Sequence, residues 1–389
     1  WAVGIGWNMH NESFLKEVSW VNMLKLRFSV GTSGSQHFNA YQAIQTYRYF
    51  LDDKYYAWNG SSLIAMGNPD LKWQQKRDYN IGLDVKLWDN RITIGGDFYI
   101  AKTNDLISTL TLPAANGFTT YIENIGSLKN TGYELRLSAY VLRKDQMSWS
   151  VSLAGIHNKN KIVEVSQALL DAQNAIESED LVNPNVQFRP GYSSNTIWTV
   201  RSAGIDPGTG KEVFISRDGN RTYNWSASDI VATGVSDPKL EGNISSMFRY
   251  KGLSLNVSFG YRFGGQIYNS TLANKVEVSK TAIGWNVDAR VFHDRWKNIG
   301  DQASFKGLDD FTPTNKTSRF VQDETTFRCQ NMTLQYELKS QALNKLLGID
   351  YCLFSASTSD LFYISTVKRE RGTSYPFSRQ FSLGVNVVF

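Results

Sequence analysis

Phe381-Ser382-Leu383-Gly384-Val385-Asn386-Val387-Val388-Phe389 closes the chain with an apolar side chain at every second position and an aromatic carboxy terminus. Successive side chains of a strand point to opposite faces, so Phe381, Leu383, Val385, Val387 and Phe389 share one face and Ser382, Gly384 and Asn386 the other. One face suits lipid and the other a polar lumen, which is how an outer-membrane β-barrel ends. The last strand of a soluble sandwich alternates in the same way, and nine residues do not separate the two.

The rest of the chain repeats the pattern. Leu24, Leu26, Phe28 and Val30 alternate with Lys25, Arg27 and Ser29, and Tyr79, Ile81, Leu83, Val85 and Leu87 alternate with Asn80, Gly82, Asp84 and Lys86. Hydrocarbon on one face and charge on the other describes a wall between two solvents. The same reading gives strands near 91–104, 131–142, 147–158, 240–250, 253–264, 326–338, 347–359 and 376–389. With 1–8 that makes eleven strands, to which 196–204 and 211–216 would add a pair.

The connections discriminate better than the strands. Tight links fall at Trp88-Asp89-Asn90, Arg143-Lys144-Asp145-Gln146 and Lys251-Gly252, where Asn, Asp and Gly supply turn conformations. Between them run long links at about 34–72, 105–130 and 265–325, far beyond the few residues usual in compact soluble domains. With Phe389 placed in the periplasm, every tight turn falls on one side and every long loop on the other, as in an outer-membrane barrel. The expected fold is therefore all-β, a transmembrane antiparallel β-barrel with long extracellular loops. These loops are crowded with aromatic residues, including Tyr55, Tyr56 and Trp58 in one and Trp285 and Trp296 in another, which points to folded loops. A short helix is expected near 162–181.

Composition bounds the reading without deciding it. Aromatic residues are 13% of the 389, which fits interfacial girdles and equally the sugar-stacking platforms of a carbohydrate-binding sandwich. No stretch approaches the 18 or so apolar residues of a membrane helix, and strands with one wet face never do. The 41 basic and 36 acidic residues are scattered, with no basic block beyond Lys368-Arg369-Glu370-Arg371, so nucleic acid is not an expected partner. No charged-then-apolar leader can be read, and the chain begins inside an alternating segment at Trp1, which reads as the carboxy-terminal part of a longer protein.

No enzyme signature emerges. His10, His37, His157 and His293 lie far apart with no metal-ligand spacing, and nucleophile elbows, phosphate loops and dinucleotide fingerprints are missing, so neither metal nor cofactor is expected. Glu177-Ser178-Glu179-Asp180 and Asp309-Asp310 read as solvated loop charge rather than a Ca²⁺ site. Cys329 and Cys352 are placed on neighbouring strands, both facing inward. With a turn over 339–346, Cys352 falls opposite Thr333, some four residues or about 14 Å from Cys329, too far for a disulfide. The inward charges Lys25, Arg27, Asp84, Lys86, Glu134 and Arg136 either line a solute path, hold a plug, or simply sit in a wet lumen.

A family resemblance rests on motifs met in order: Asn68-Pro69-Asp70-Leu71-Lys72-Trp73, Tyr79-Asn80-Ile81-Gly82-Leu83-Asp84, Asn90-Arg91-Ile92-Thr93, Asp97-Phe98-Tyr99 and Lys102-Thr103-Asn104-Asp105-Leu106-Ile107. It continues through Asn124-Ile125-Gly126, Asn130-Thr131-Gly132-Tyr133-Glu134, Ala203-Gly204-Ile205-Asp206-Pro207-Gly208-Thr209-Gly210, Asp218-Gly219-Asn220, Asp237-Pro238-Lys239 and Phe259-Gly260-Tyr261-Arg262-Phe263-Gly264-Gly265. Asp294-Arg295-Trp296, Ser318-Arg319-Phe320-Val321 and Tyr375-Pro376 lead to Phe389. The chain resembles the carboxy-terminal part of a SusC/RagA-type TonB-dependent transporter of Bacteroidetes. Ser357-Thr358-Ser359-Asp360-Leu361-Phe362 departs from the family's usual Ser-Gly-Gln-Asn-Leu-Phe-like run, and Cys329 replaces an aliphatic site.

That resemblance implies a barrel of about 22 strands with a plugged lumen, of which residues 1–389 supply the carboxy-terminal wall and outer loops while the plug and first strands lie outside. It implies import of oligosaccharides or peptides across the cell outer membrane with a SusD-like surface lipoprotein as lid and TonB acting through the missing amino-terminal region. On this reading Tyr55, Tyr56, Trp58, Trp285 and Trp296 contact ligand or lid, and Phe381, Leu383, Val385, Val387 and Phe389 form the assembly signal. The alternatives are a SusC-like barrel serving as scaffold in a secretion or barrel-assembly machine, and a soluble carbohydrate-binding β-protein.

Overall fold

The computed structural model describes the whole chain except residues 37–39, 112–116, 119, 177–186, 278–287, 311 and 371–378. A wall begins with β1 (Ala2–Asn8) and β2 (Val21–Ser35), and a separate hairpin of β3 (Thr46–Tyr55) and β4 (Trp58–Ala65) stands in the loop that follows. The wall resumes with β5 (Gln74–Leu87), β6 (Ile92–Thr111), β7 (Thr120–Lys144) and β8 (Met147–Val165). The next loop carries helix α1 (Gln167–Ile176) and strands β9 (Thr196–Ile205), β10 (Glu212–Ile215), β11 (Arg221–Thr222) and β12 (Ile230–Val235). Then come β13 (Leu240–Tyr250), β14 (Leu253–Tyr268), β15 (Val321–Leu338), helix α2 (Gln341–Leu347), β16 (Tyr351–Ser359), β17 (Tyr363–Ser365) and β18 (Phe381–Val388).

Eleven of these strands pair in the order β1-β2-β5-β6-β7-β8-β13-β14-β15-β16-β18, with β17 added to β15. All the pairings are antiparallel. The eleven expected wall strands are the eleven observed. β1 and β18 are the ends of this order, so the sheet is an open portion of a barrel. Alternating strand direction puts the turns after β5, β7 and β13 at the same end as Phe389, and the long loops at the other.

The registers give the wall two unlike faces. From β2 across to β8, Phe28, Ile81, Phe98, Tyr133 and His157 are direct neighbours, as are Leu24, Val85, Ile94, Leu137 and Leu153 two levels further along. Ile244 and Phe259 extend that second row into β13 and β14. The belt reaches β18 through Leu334, Ala356 and Leu383. The opposite face carries rows such as Ser138, Ser152, Ser245, Ser258 and Asn331. Among the described residues no helix is long and apolar enough to cross a membrane.

Four expectations need correction. The link at 105–130 is mostly strand, because β6 runs on to Thr111 and β7 begins at Thr120, joined by pairs such as Thr109 with Ile122. The cysteine register also shifts. α2 occupies the turn after β15, so Cys352 pairs with Leu338, not Thr333, and joins Phe354 on the apolar outward face. Nine positions then separate its row from Cys329, and both thiols are free and buried. The pair expected at 196–204 and 211–216 forms, but in a loop sheet of order β11-β10-β9-β12 rather than in the wall. Its core is Trp198, Val200, Phe214 and Ile230, with Trp225 packed against it. The expected helix at 162–181 is narrower, since β8 continues to Val165 before α1.

Candidate functional site

The polar face of β2, β5, β6 and β7 carries a connected set of charges. Period 2 puts Arg27, Asp84, Asp97, Glu134 and Arg136 on that face, and the pairing brings them side by side. Arg27 Nε donates to Asp84 Oδ2 at 2.7 Å, and its Nη2 reaches Asp97 Oδ1 at 3.0 Å, two strands away. The reach depends on Gly82, which lies between them: a Cβ there would stand 2.5 Å from both Arg27 Nη2 and Asp97 Oδ1. Arg136 Nη2 bonds Glu134 Oε2 at 3.2 Å and lies 3.7 Å from Asp97 Oδ2. Lys25 faces Asp84 across the β2–β5 pair, and Lys86 stands opposite Thr93 at the next level. The structure thus joins Arg27, Asp84, Glu134 and Arg136. Sequence reading missed Asp97, the carboxylate that Arg27 and Arg136 share, although its alternation with Tyr99 marks the same face.

A second polar region lies across β13, β14 and β15. A cavity of about 580 Å³ is lined by Glu241, Asn243, Arg262, Glu324, Arg328 and Tyr363, with Arg262 Nη1 3.2 Å from Glu324 Oε2.

Above the wall, on the long-loop side, arginines bind the loops to one another. Arg319, just before β15, grips two carboxylates. It donates to Glu212 of β10 at 3.1 and 2.8 Å and to Glu277 of the 269–320 loop at 3.1 and 2.8 Å, with a further bond to the Ser304 carbonyl at 2.7 Å. Glu212 and Glu277 are buried. Burial works against the guanidinium's charge, yet the two carboxylates hold Arg319 more firmly protonated than usual. Arg290 bonds Asp288 at 2.9 and 2.7 Å and Glu370 at 3.0 and 2.9 Å, joining the 269–320 and 360–380 loops. Hydrogen bonds from Arg290 hold Asp288 well below the usual carboxylate range. Arg295 is buried and spends its donors on backbone carbonyls, including that of Lys306 at 2.7 Å.

The aromatic candidates fare unequally. Tyr55, Tyr56 and Trp58 form the tip of the β3–β4 hairpin, where Tyr55 pairs with Trp58 and Tyr56 takes a positive φ of 56°. Tyr56 and Trp58 are 87% and 77% exposed. Trp296 is engaged within the protein: its Nε1 donates to the Pro207 carbonyl at 2.9 Å, and its ring covers Gly210, where a Cβ would come within 2.5 Å. The same Asp206–Gly210 turn is drawn in by Asp206, which accepts from Thr209 Oγ1 at 2.7 Å, the Gly208 amide at 3.1 Å and Tyr223 at 2.8 Å. Those bonds, led by Thr209, lower the Asp206 pKa. Trp285 lies outside the described residues, as do Glu177 to Asp180. Among the described residues no group of three His, Cys, Asp or Glu is placed to hold a metal.

The family model described as TonB dependent receptor-like, beta-barrel, matches residues 1–269. The chain belongs to the TonB-dependent receptor-like β-barrel family. TonB-dependent receptor P39 of Formosa agariphila is 24% identical over 447 residues, covering 100% of this chain and 42% of its own length. TonB-dependent receptor SusC of Bacteroides thetaiotaomicron is 27% identical over 415 residues, covering 100% of this chain and 40% of its own. A solved structure described as the RagAB peptide transporter superposes with a TM-score of 0.80 at 24% identity, covering 99% of this chain and 43% of that one. The fold it shares is the barrel wall with its outer loops. The chain spans about two fifths of the length of the curated relatives it matches. Within this TonB-dependent receptor barrel, the motifs at 203–210, 294–296 and 318–321 supply Arg319 of the loop clamp, the buried Arg295 and the contact of Trp296 with Pro207.

Proposed function

We propose that the full-length protein is an outer-membrane importer, energised through TonB, that takes up oligosaccharides or peptides with a SusD-like surface lipoprotein as its lid. Residues 1–389 are then the carboxy-terminal part of its barrel, and the plug, the TonB-contacting region and the first strands belong to the remainder. The observation that carries this reading is a continuous polar wall face lying under loops that are folded and clamped, in a chain that belongs to the TonB-dependent receptor family. A polar wall accepts a hydrated solute or a plug surface, and ordered loops give a partner a fixed surface.

In this role Lys25, Arg27, Asp84, Lys86, Glu134 and Arg136 face the lumen. Their ion pairs are partly exposed, so they fix wall geometry and present charge without adding much stability. Tyr55, Tyr56, Trp58 and Trp285 are the contacts for ligand or lid, and the flat exposed faces of Tyr56 and Trp58 suit stacking on either a sugar ring or a protein surface. Trp296 instead organises the loop on which such contacts stand. Phe381, Leu383, Val385, Val387 and Phe389 serve barrel assembly.

The test is purification of the full-length protein from its native membrane in mild detergent, with every co-purifying component identified. One SusD-like lipoprotein carrying oligosaccharide or peptide is the expected result. A set of secretion or assembly subunits, with no lipoprotein of that kind, would make the barrel a scaffold and overturn the import reading.

A further inference from the structure

The outward face of the wall carries a row of like charges in perfect register. Arg77 of β5 pairs with Lys102 of β6, Lys102 with Lys129 of β7, and Lys129 with Lys161 of β8. Residues directly opposite in neighbouring strands point to the same side. All four belong to the outward set, since Arg77 is two residues from Tyr79, Lys102 two from Ile100, Lys129 four from Tyr133 and Lys161 four from His157. Lys159, opposite Thr131, adds a fifth cation one level down. All five are exposed. Among the described residues, none of the five side chains makes an ion pair or hydrogen bond.

Like charges directly opposite each other destabilise a sheet, and here four strands repeat the arrangement with Cβ spacings of about 5 Å. Nothing among the described residues offsets it. The position of the row says what would. From Arg77 to Leu87 along β5 is ten residues (87 − 77), about 34 Å of strand and about 26 Å of height at a barrel tilt near 40°. That matches the roughly 25 Å apolar band of a membrane barrel, so the cations sit at its outer rim, just above Tyr79, Phe98 and Tyr133. Beside the row, on the same side, opens a cavity of about 300 Å³ lined by Lys159, Lys161, Tyr192, Val235, Pro238 and Lys239. The acid in its lining, Asp237, is already taken by Ser193 and by Asn195 at 2.7 Å.

We propose that Arg77, Lys102, Lys129 and Lys161, with Lys159, form a binding site for the phosphate groups of an anionic lipid in the outer leaflet. The cavity at the Lys161 end seats part of the same headgroup. A lipid is favoured over a soluble anion because the row lies where headgroups stand and is continuous with the apolar belt that acyl chains would cover. The proposal does not depend on import or on any lid partner.

The test uses full-length protein in neutral detergent, with diphosphorylated lipid A, the same lipid dephosphorylated, and inorganic phosphate as probes, and thermal unfolding and bound lipid as readouts. The expected results are that lipid A alone raises the Tm of the natural protein, and that K102Q/K129Q/K161Q lowers its affinity at least about tenfold. The variant with arginine at the same three positions should retain binding. Without lipid, the glutamine variant should unfold no earlier than the natural protein, since it loses only repulsion. Equal stabilisation by the dephosphorylated lipid, or unchanged lipid A affinity in the glutamine variant, would overturn the site. A Tm rise with inorganic phosphate alone, equal to that with lipid A, would overturn the lipid as its ligand.

Discussion

Arg319 and Arg27 each bind two carboxylates, yet burial gives them different weight. Arg27 is about a third exposed and Asp84 similarly so, and such pairs contribute about 1 kcal/mol or less. Arg319 is 10% exposed, Glu212 5% and Glu277 0%, so removing the guanidinium strands two buried anions. We expect Arg319→Met to cost about 3–5 kcal/mol of local stability. Arg319→Lys should recover little, because an ammonium cannot satisfy both carboxylates in the forked geometry. Hydrogen exchange of the full-length protein is the check: amides of 196–215 and 269–277 should exchange faster while wall strands keep their protection, and unchanged loop protection would refute the clamp. Gly242 makes the second case at this scale. The Tyr261 hydroxyl crosses it to donate to the Ala154 carbonyl at 2.8 Å, and any Cβ on Gly242 would collide with that carbonyl. Gly242→Val should therefore lower the urea midpoint clearly, whereas Tyr261→Phe should cost about 1 kcal/mol, the value of one hydrogen bond.

At the level of elements, β18 is the informative strand, because it pairs with β16 alone and ends the described sheet order. Phe381, Leu383 and Val385 are 68%, 86% and 65% exposed, an apolar row suited to lipid. Deleting Phe389 should reduce the amount of folded barrel in the membrane, measured as the heat-resistant compact form on a gel, and a normal amount would argue against an assembly role. The legible part of the fold was whatever alternates: each wall strand has a hydrocarbon face, and period 2 reveals it without any knowledge of partners. The outer extensions of β6 and β7 were not legible, since Leu106 to Thr111 and Thr120 to Ile125 lie above the lipid and have no reason to alternate strictly. Cys352 was misplaced because α2 absorbs residues that a tight turn would have left to the strand, and a one-residue slip exchanges faces. The charged wall was read as a face but not as a network, and neither Asp97 nor the row from Arg77 to Lys161 emerges until registers place residues from four strands side by side. Arg319 sat in a recognised motif, but its partners Glu212 and Glu277 are distant in sequence and nothing local announces them.

For the molecule as a whole, the wall and the canopy of loops rest on different physics and should fail under different conditions. The wall is held by ladder hydrogen bonds and by lipid on its apolar belt, neither of which titrates. The canopy is joined by charges: Arg319 links the 166–239 and 269–320 loops, and Arg290 links the latter directly to Glu370 while Asp288 holds the Arg290 guanidinium in place from its own loop. Asp288 is held below its ordinary value in the folded protein. Its contribution is therefore fully present above the unfolded carboxylate value of about 3.9 and is lost only as pH falls through the lower folded value. The canopy should consequently stay closed through mild acid and loosen in strong acid while the barrel persists. Pepsin digestion of the full-length protein in detergent provides the measurement, because the enzyme works across that range. Cleavage near 288–296 should be slow at about pH 4 and accelerate below about pH 3, with wall strands still intact. An Asp288→Asn variant lacks the titrating group, so its cleavage should already be fast at the higher pH and should change less between the two. If the natural protein and the variant showed the same pH profile, the Asp288–Arg290–Glu370 link would not be what holds these loops together.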